Sequence, residues 1–218
     1  MPGLLRTVNG TTALFATASI RSKQEGILSA NVELVANPSR GVSDFILNIT
    51  QNACNLATIK IVSLTRTSSR LTASFGKQVK GASSANILLR DKNGKLSARG
   101  FINKKAIVPI KFGCGCGCKN GGSCSDSTKV RFKDGSTLKV SIDRSLELAL
   151  KRLFAKLARE IKKLIPKSRR RAAAPDPGCR DNCVRIGNAC RAACGIFAAL
   201  CAPICLTAQT VCIIQCGF

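Results

Sequence analysis

The stretch VELVANPSRGVSDFILNITQNACNLATIKIVSL, residues 32–64, decides the fold class. Val32, Leu34 and Ala36 alternate with Glu33 and Val35, and a period of two sends alternate side chains to opposite faces of a strand. Phe45–Ile49 and Ala57–Leu64 repeat the short apolar run, with turn residues between. Further along, Leu71–Phe75, Asn86–Leu89 and Ala106–Ile110 continue the series. Lys92-Asn93-Gly94-Lys95 joins two runs through an Asn-Gly pair, whose tolerance of positive φ suits a tight hairpin. Lys133-Asp134-Gly135-Ser136 repeats that device between Val130–Phe132 and Leu138–Ile142. Many short strands at this spacing favour an antiparallel sandwich or barrel over a parallel sheet. The expected domain is a β-sandwich over residues 27–143.

Composition narrows the chemistry. The 218 residues hold 35 Lys+Arg, 11 Asp+Glu, 13 Cys, and no His, Trp or Tyr. Lacking His, the chain lacks the commonest general base and metal ligand, and few carboxylates are present to form an acid pair. The reading is therefore non-enzymatic. Charge falls unevenly: residues 1–143 carry 21 basic against 7 acidic groups, residues 144–171 carry 11 against 2, and residues 172–218 carry 3 against 2. Eight of the 13 cysteines lie in the last 40 residues. Three compositions read as functionally distinct pieces.

Residues 1–26 are expected to be an N-terminal extension without a clear signal peptide, since Asn9 to Thr12 interrupt the apolar stretch and Thr12–Ile20 looks more like a strand. An extracellular or surface-associated chain would then leave the cell by another route or by lysis.

Residues 113–124 place Cys114, Cys116, Cys118 and Cys124 in a glycine-rich loop. Four thiolates offer a tetrahedral zinc site, although Cys-x-Cys-x-Cys is tighter than the usual ligand spacing. Local or intermolecular disulfides, or a reduced loop, are the alternatives. Cys54 sits in an apolar run and is expected to be a buried small hydrophobe. An odd cysteine total leaves a thiol free or joined to another chain, which admits self-association.

Residues 144–166 carry a helical pattern, with Leu146, Leu150, Leu153, Phe154, Leu157, Ile161, Leu164 and Ile165 on one face. Lys151, Arg152, Lys156, Arg159, Lys162 and Lys163 occupy most of the remainder, Asp143 or Ser145 can cap the start, and Pro166 stops the end. Such a helix packs its leucines on the sheet, lies on an anionic membrane, or contacts nucleic acid through its charge. Residues 167–178 run from Arg169, Arg170 and Arg171 into Ala172–Gly178, an exposed linker suited to trypsin-like processing.

Residues 179–218 place cysteines at 179, 183, 190, 194, 201, 205, 212 and 216, an 11-residue CxxxC repeat occurring four times. Eleven residues make nearly three helical turns, so all eight sulfurs would share one slowly drifting stripe. Cysteines four apart on one helix are poorly placed to bond each other. A helical hairpin instead pairs Cys194 with Cys201, Cys190 with Cys205, Cys183 with Cys212, and Cys179 with Cys216. A membrane span, since residues 192–218 hold no charge, and a thiolate metal cluster are the competing readings. The whole chain then reads as α+β: an N-terminal antiparallel β-sandwich, a basic amphipathic helix, and a disulfide-laddered α-helical hairpin.

Those CxxxC pairs resemble the α-hairpinins, and the uncharged Cys- and Ala-rich end resembles the C-terminal part of halocin-type bacteriocin precursors. The second resemblance implies a C-terminal toxin released from a front part that serves as its immunity partner. Three functions follow. The leading one is a membrane-active, bacteriocin-like antimicrobial precursor. The others are a disulfide-crosslinked structural protein of a coat, spore surface, fibre or virion, and a basic nucleic-acid-packaging protein.

Overall fold

The computed structural model describes residues 3–8, 11–37, 42–65, 68–92, 95–112 and 130–164. Among these residues ten strands precede one helix: β1 (Gly3–Val8), β2 (Thr11–Ser22), β3 (Gly26–Asn37), β4 (Val42–Gln51), β5 (Cys54–Thr65), β6 (Ser68–Phe75), β7 (Ser84–Lys92), β8 (Lys95–Ile102), β9 (Lys105–Ala106), β10 (Ile110–Phe112) and α1 (Arg144–Leu164).

All ten strands belong to one sheet, ordered β1-β2-β3-β4-β5-β6-β7-β8-β10, with β9 pairing on β8. This corrects the expected sandwich. Neighbours from β1 to β8 are antiparallel and consecutive in the chain, so no strand crosses to a second layer. Alternation reveals that one face of each strand is buried; it does not reveal what covers that face. Here α1 covers part of that face, and Val79, Ala82, Ile107, Val130 and Phe132 join the same cluster; no second sheet does so among the described residues. The expected helical hairpin of residues 179–218 falls outside the described residues, and no helical hairpin occurs among them.

The ladder also includes residues expected to be an extension. β1 and most of β2 precede residue 27, and Leu14, Ala16 and Ala18 of β2 are buried. Buried positions then alternate along each strand: Leu28, Ala30, Val32 and Leu34; Phe45, Leu47 and Ile49; Ala57 and Ile59; Leu71, Ala73 and Phe75; Ala85, Ile87 and Leu89; the one break is Leu56, buried beside Ala57 where the β4–β5 register shifts. These side chains join α1 in a single hydrophobic cluster.

Local chemistry fixes the register. Asn52 and Ala53 form a two-residue turn with both φ values positive, 49° and 65°, matching the twist of the β4–β5 hairpin. Asn103 and Lys104 do the same between β8 and β9. The Asn103 carboxamide oxygen accepts from the Ser83 backbone N–H at 2.7 Å, and its Nδ2 donates to the Gly81 carbonyl at 2.9 Å. The Lys92–Lys95 junction closes the β7–β8 hairpin as its Asn-Gly pair suggests. Residues 133–136 also turn as expected, with the Phe132 N–H donating to the Ser136 carbonyl at 2.8 Å.

Candidate functional site: the cationic face of α1

α1 forms where the three- and four-residue apolar spacing begins. Its first bond runs from the Glu147 N–H to the Asp143 carbonyl at 2.9 Å. Glu147 in the first turn and Lys162 and Lys163 in the last complement the helix dipole. Leu146, Ala149, Leu150, Leu153, Phe154, Leu157 and Ile161 are buried. The helix therefore packs its leucines on the sheet, lying against β2, β3 and β1.

Polar contacts pin both ends of this packing. The Ser145 hydroxyl donates to the Glu25 carboxylate, which also accepts from Gln51 Nε2 at 2.9 Å. One carboxylate thus ties the helix start to the β2–β3 turn and to the end of β4. Farther along, Lys156 Nζ donates to the Ser19 carbonyl at 2.8 Å.

The opposite side of α1 faces solvent and gathers the expected contact residues. Lys151, Arg152, Arg159, Lys162 and Lys163 are exposed, and Lys156 is half-buried. Lys151 pairs with Glu147 at 2.7 Å and Lys163 with Glu160 at 2.9 Å. Each lysine holds its partner's carboxyl below the usual carboxylate range through a hydrogen bond to the ionised form. No ion pair among the described residues holds Arg152 or Arg159. These two guanidiniums stand seven residues apart, about 10 Å along the axis. The face attracts polyanions by charge. Inserting the helix's apolar side into lipid would require unpacking the core.

The other nominated residues lie outside the described residues: Cys114, Cys116, Cys118 and Cys124, the eight cysteines from Cys179 to Cys216, and Arg169, Arg170 and Arg171. Among the described residues, no group of metal-ligating side chains occurs, and no helix is long and apolar enough to cross a membrane. Cys54 is exposed, not buried, because it directly follows the Asn52-Ala53 turn at the sheet's rim.

The sequence reading also passed over Lys60, Arg70, Arg90 and Arg99. All four are exposed at positions out of phase with the buried residues of β5–β8. The strand alternation that marked the core also marked these outward sites. Comparison with family models, curated proteins and solved structures finds no match for this chain.

Proposed function

We propose that this is a non-enzymatic, membrane-active precursor. Its folded part docks electrostatically on anionic membrane surfaces through α1, and it carries a Cys-rich C-terminal segment that cleavage at Arg169–Arg171 would separate. The observation that supports this reading is the division of labour on α1. Leu146, Leu150, Leu153 and Leu157 are committed to the core, while seven Lys and Arg against two Glu are spent on its polar sides. Polar packing alone would not need that excess. A juxtamembrane cation is worth about 1 kcal/mol at an anionic leaflet, so this face supplies adhesion without insertion. Apolar contact with lipid then falls to the uncharged residues 192–218. The resemblance to halocin-type precursors gives the antimicrobial form of the proposal.

Co-sedimentation of the full chain with phosphatidylserine-containing vesicles, under reductant and across a salt series, tests the docking. Binding should be strong at low salt, fall steeply with added salt, and weaken when Arg152 and Arg159 become Glu. No binding at low salt, or binding indifferent to those substitutions, overturns it. Retention on DNA without retention on vesicles would assign the charge to nucleic acid instead.

A further inference from the structure

A second cationic surface lies on the other face of the sheet. Arg70 on β6 stands directly across from Leu88 on β7, and Leu88 across from Arg99 on β8. Strand spacing puts Arg70 and Arg99 about 10 Å apart. Arg90 lies two residues along β7, opposite Ser68 and Ser97. Lys60 on β5 faces Thr72, two residues from Arg70. All four cations are exposed, and none is ion-paired among the described residues. The outward positions of β5–β8 carry no carboxylate among the described residues; their other occupants include Thr58, Thr72, Ser74 and Asn86. Phe101, 53% exposed, sits on the same face opposite Asn86.

One carboxylate, Asp44 on β4, lies in the same row two strands from Arg70, so three guanidiniums and Lys60 outnumber it; cations about a Debye length apart act together on a nearby anionic surface. Guanidinium matches phosphate oxygens in a bidentate fork, and an exposed aromatic beside it suits the headgroup region. α1 covers the inner face of β1–β3, whereas these arginines stand on the outer face of β6–β8. We propose that the outer face of β5–β8 is a second site for anionic phospholipid headgroups, so that one folded chain bridges two membranes. This rests on the docking role given to α1 above.

The test is clustering of phosphatidylserine-containing vesicles by the full chain, read by dynamic light scattering under reductant, beside co-sedimentation of the same samples. The wild type should sediment with vesicles and cluster them, and salt should reverse both. The triple variant R70S/R90S/R99S should still sediment through α1, yet cluster at least tenfold less, with an unchanged circular dichroism spectrum. Restoring charge as R70K/R90K/R99K should recover most of the clustering. Sedimentation without clustering by the wild type, or undiminished clustering by the serine variant, overturns this inference and leaves the α1 docking intact. Absence of sedimentation overturns both. A labelled single-stranded DNA retained by the wild type and lost only in the serine variant, with vesicle clustering unaffected, would place nucleic acid on this face and overturn the lipid assignment.

Discussion

Truncating Leu153 to Ala should separate a core helix from a lipid-lying one. Leu153 is 0% exposed, in the middle of α1 where it meets the sheet. The change removes three carbon groups, worth about 2.4 kcal/mol at ~0.8 kcal/mol per buried carbon. The unfilled cavity raises the total to about 3–5 kcal/mol, because a close-packed interior relaxes only in part. With a urea slope of about 2 kcal/mol per molar, the unfolding midpoint should fall by about 1.5–2.5 M. Leu148→Ala on the same helix, 49% exposed, should stay within about 0.5 kcal/mol of the wild type. Both variants, folded and without denaturant, should bind anionic vesicles as the wild type does. An unchanged midpoint for Leu153→Ala, together with weakened vesicle binding, would refute the placement of the leucine face in the core.

Gly81→Ala should cost far more than Gly135→Ala in the same urea assay, although both glycines have φ near +85°. A Cβ at Gly81 would meet the Lys139 carbonyl oxygen at 1.8 Å, whereas none meets an atom within 4 Å at Gly135, so the latter should lose only the about 1–2 kcal/mol of the left-handed backbone. Asn103→Ala should lower the midpoint by about 1–3 kcal/mol equivalents, since it strips the acceptor from the Ser83 N–H and the donor from the Gly81 carbonyl. The Asp134 carboxyl is held far below its ordinary value of 3.8, first by the Ser136 hydroxyl and then by Lys105. A depressed folded pKa stabilises above the unfolded pKa and fades as pH falls toward the folded one. The wild type should therefore melt higher than Asp134→Asn near neutral pH, with the gap closing below about pH 4; a gap that widens in acid would contradict the assigned contacts.

Much of the sheet was legible because its signal is local. Period-two burial at Val32 and Leu34, at Phe45 to Ile49 and at Leu71 to Phe75 needs only the pleat. The Lys92–Lys95 pairing and the α1 stripe were legible for similar reasons. What failed was information carried between elements. Nothing in the alternation distinguishes a second sheet from a helix and loop residues as the cover of a buried face. Thr12–Ile20 has a strand-like look, but residues 1–26 read as an extension because nothing local tells that Leu14, Ala16 and Ala18 are buried under α1. Ala53 gives no warning of its positive φ, so the apolar run suggests a buried Cys54 where a turn sets it at the rim. On α1 the cationic residues were found, but whether their apolar neighbours met lipid or sheet depended on β1–β3, more than a hundred residues upstream.

That distance bears on how the chain is made. Successive hairpins pair residues close in sequence, so β1 to β8 can zip together as each strand emerges from the ribosome. The helix that seals the first three strands arrives late: its Ser145 contacts Glu25 across 120 residues. At about 5–20 residues per second, the inner faces of β2 and β3 wait about 6–24 s after synthesis for their cover. Throughout that interval Leu14, Leu28, Val32 and Leu34 stand as an apolar strip beside β1, whose outer edge has no partner strand among the described residues, a template for joining nascent chains to one another. The same short-range connectivity that makes the sheet quick to assemble leaves its oldest part as the last to be protected, and yield of the full chain depends on what shields it in the meantime.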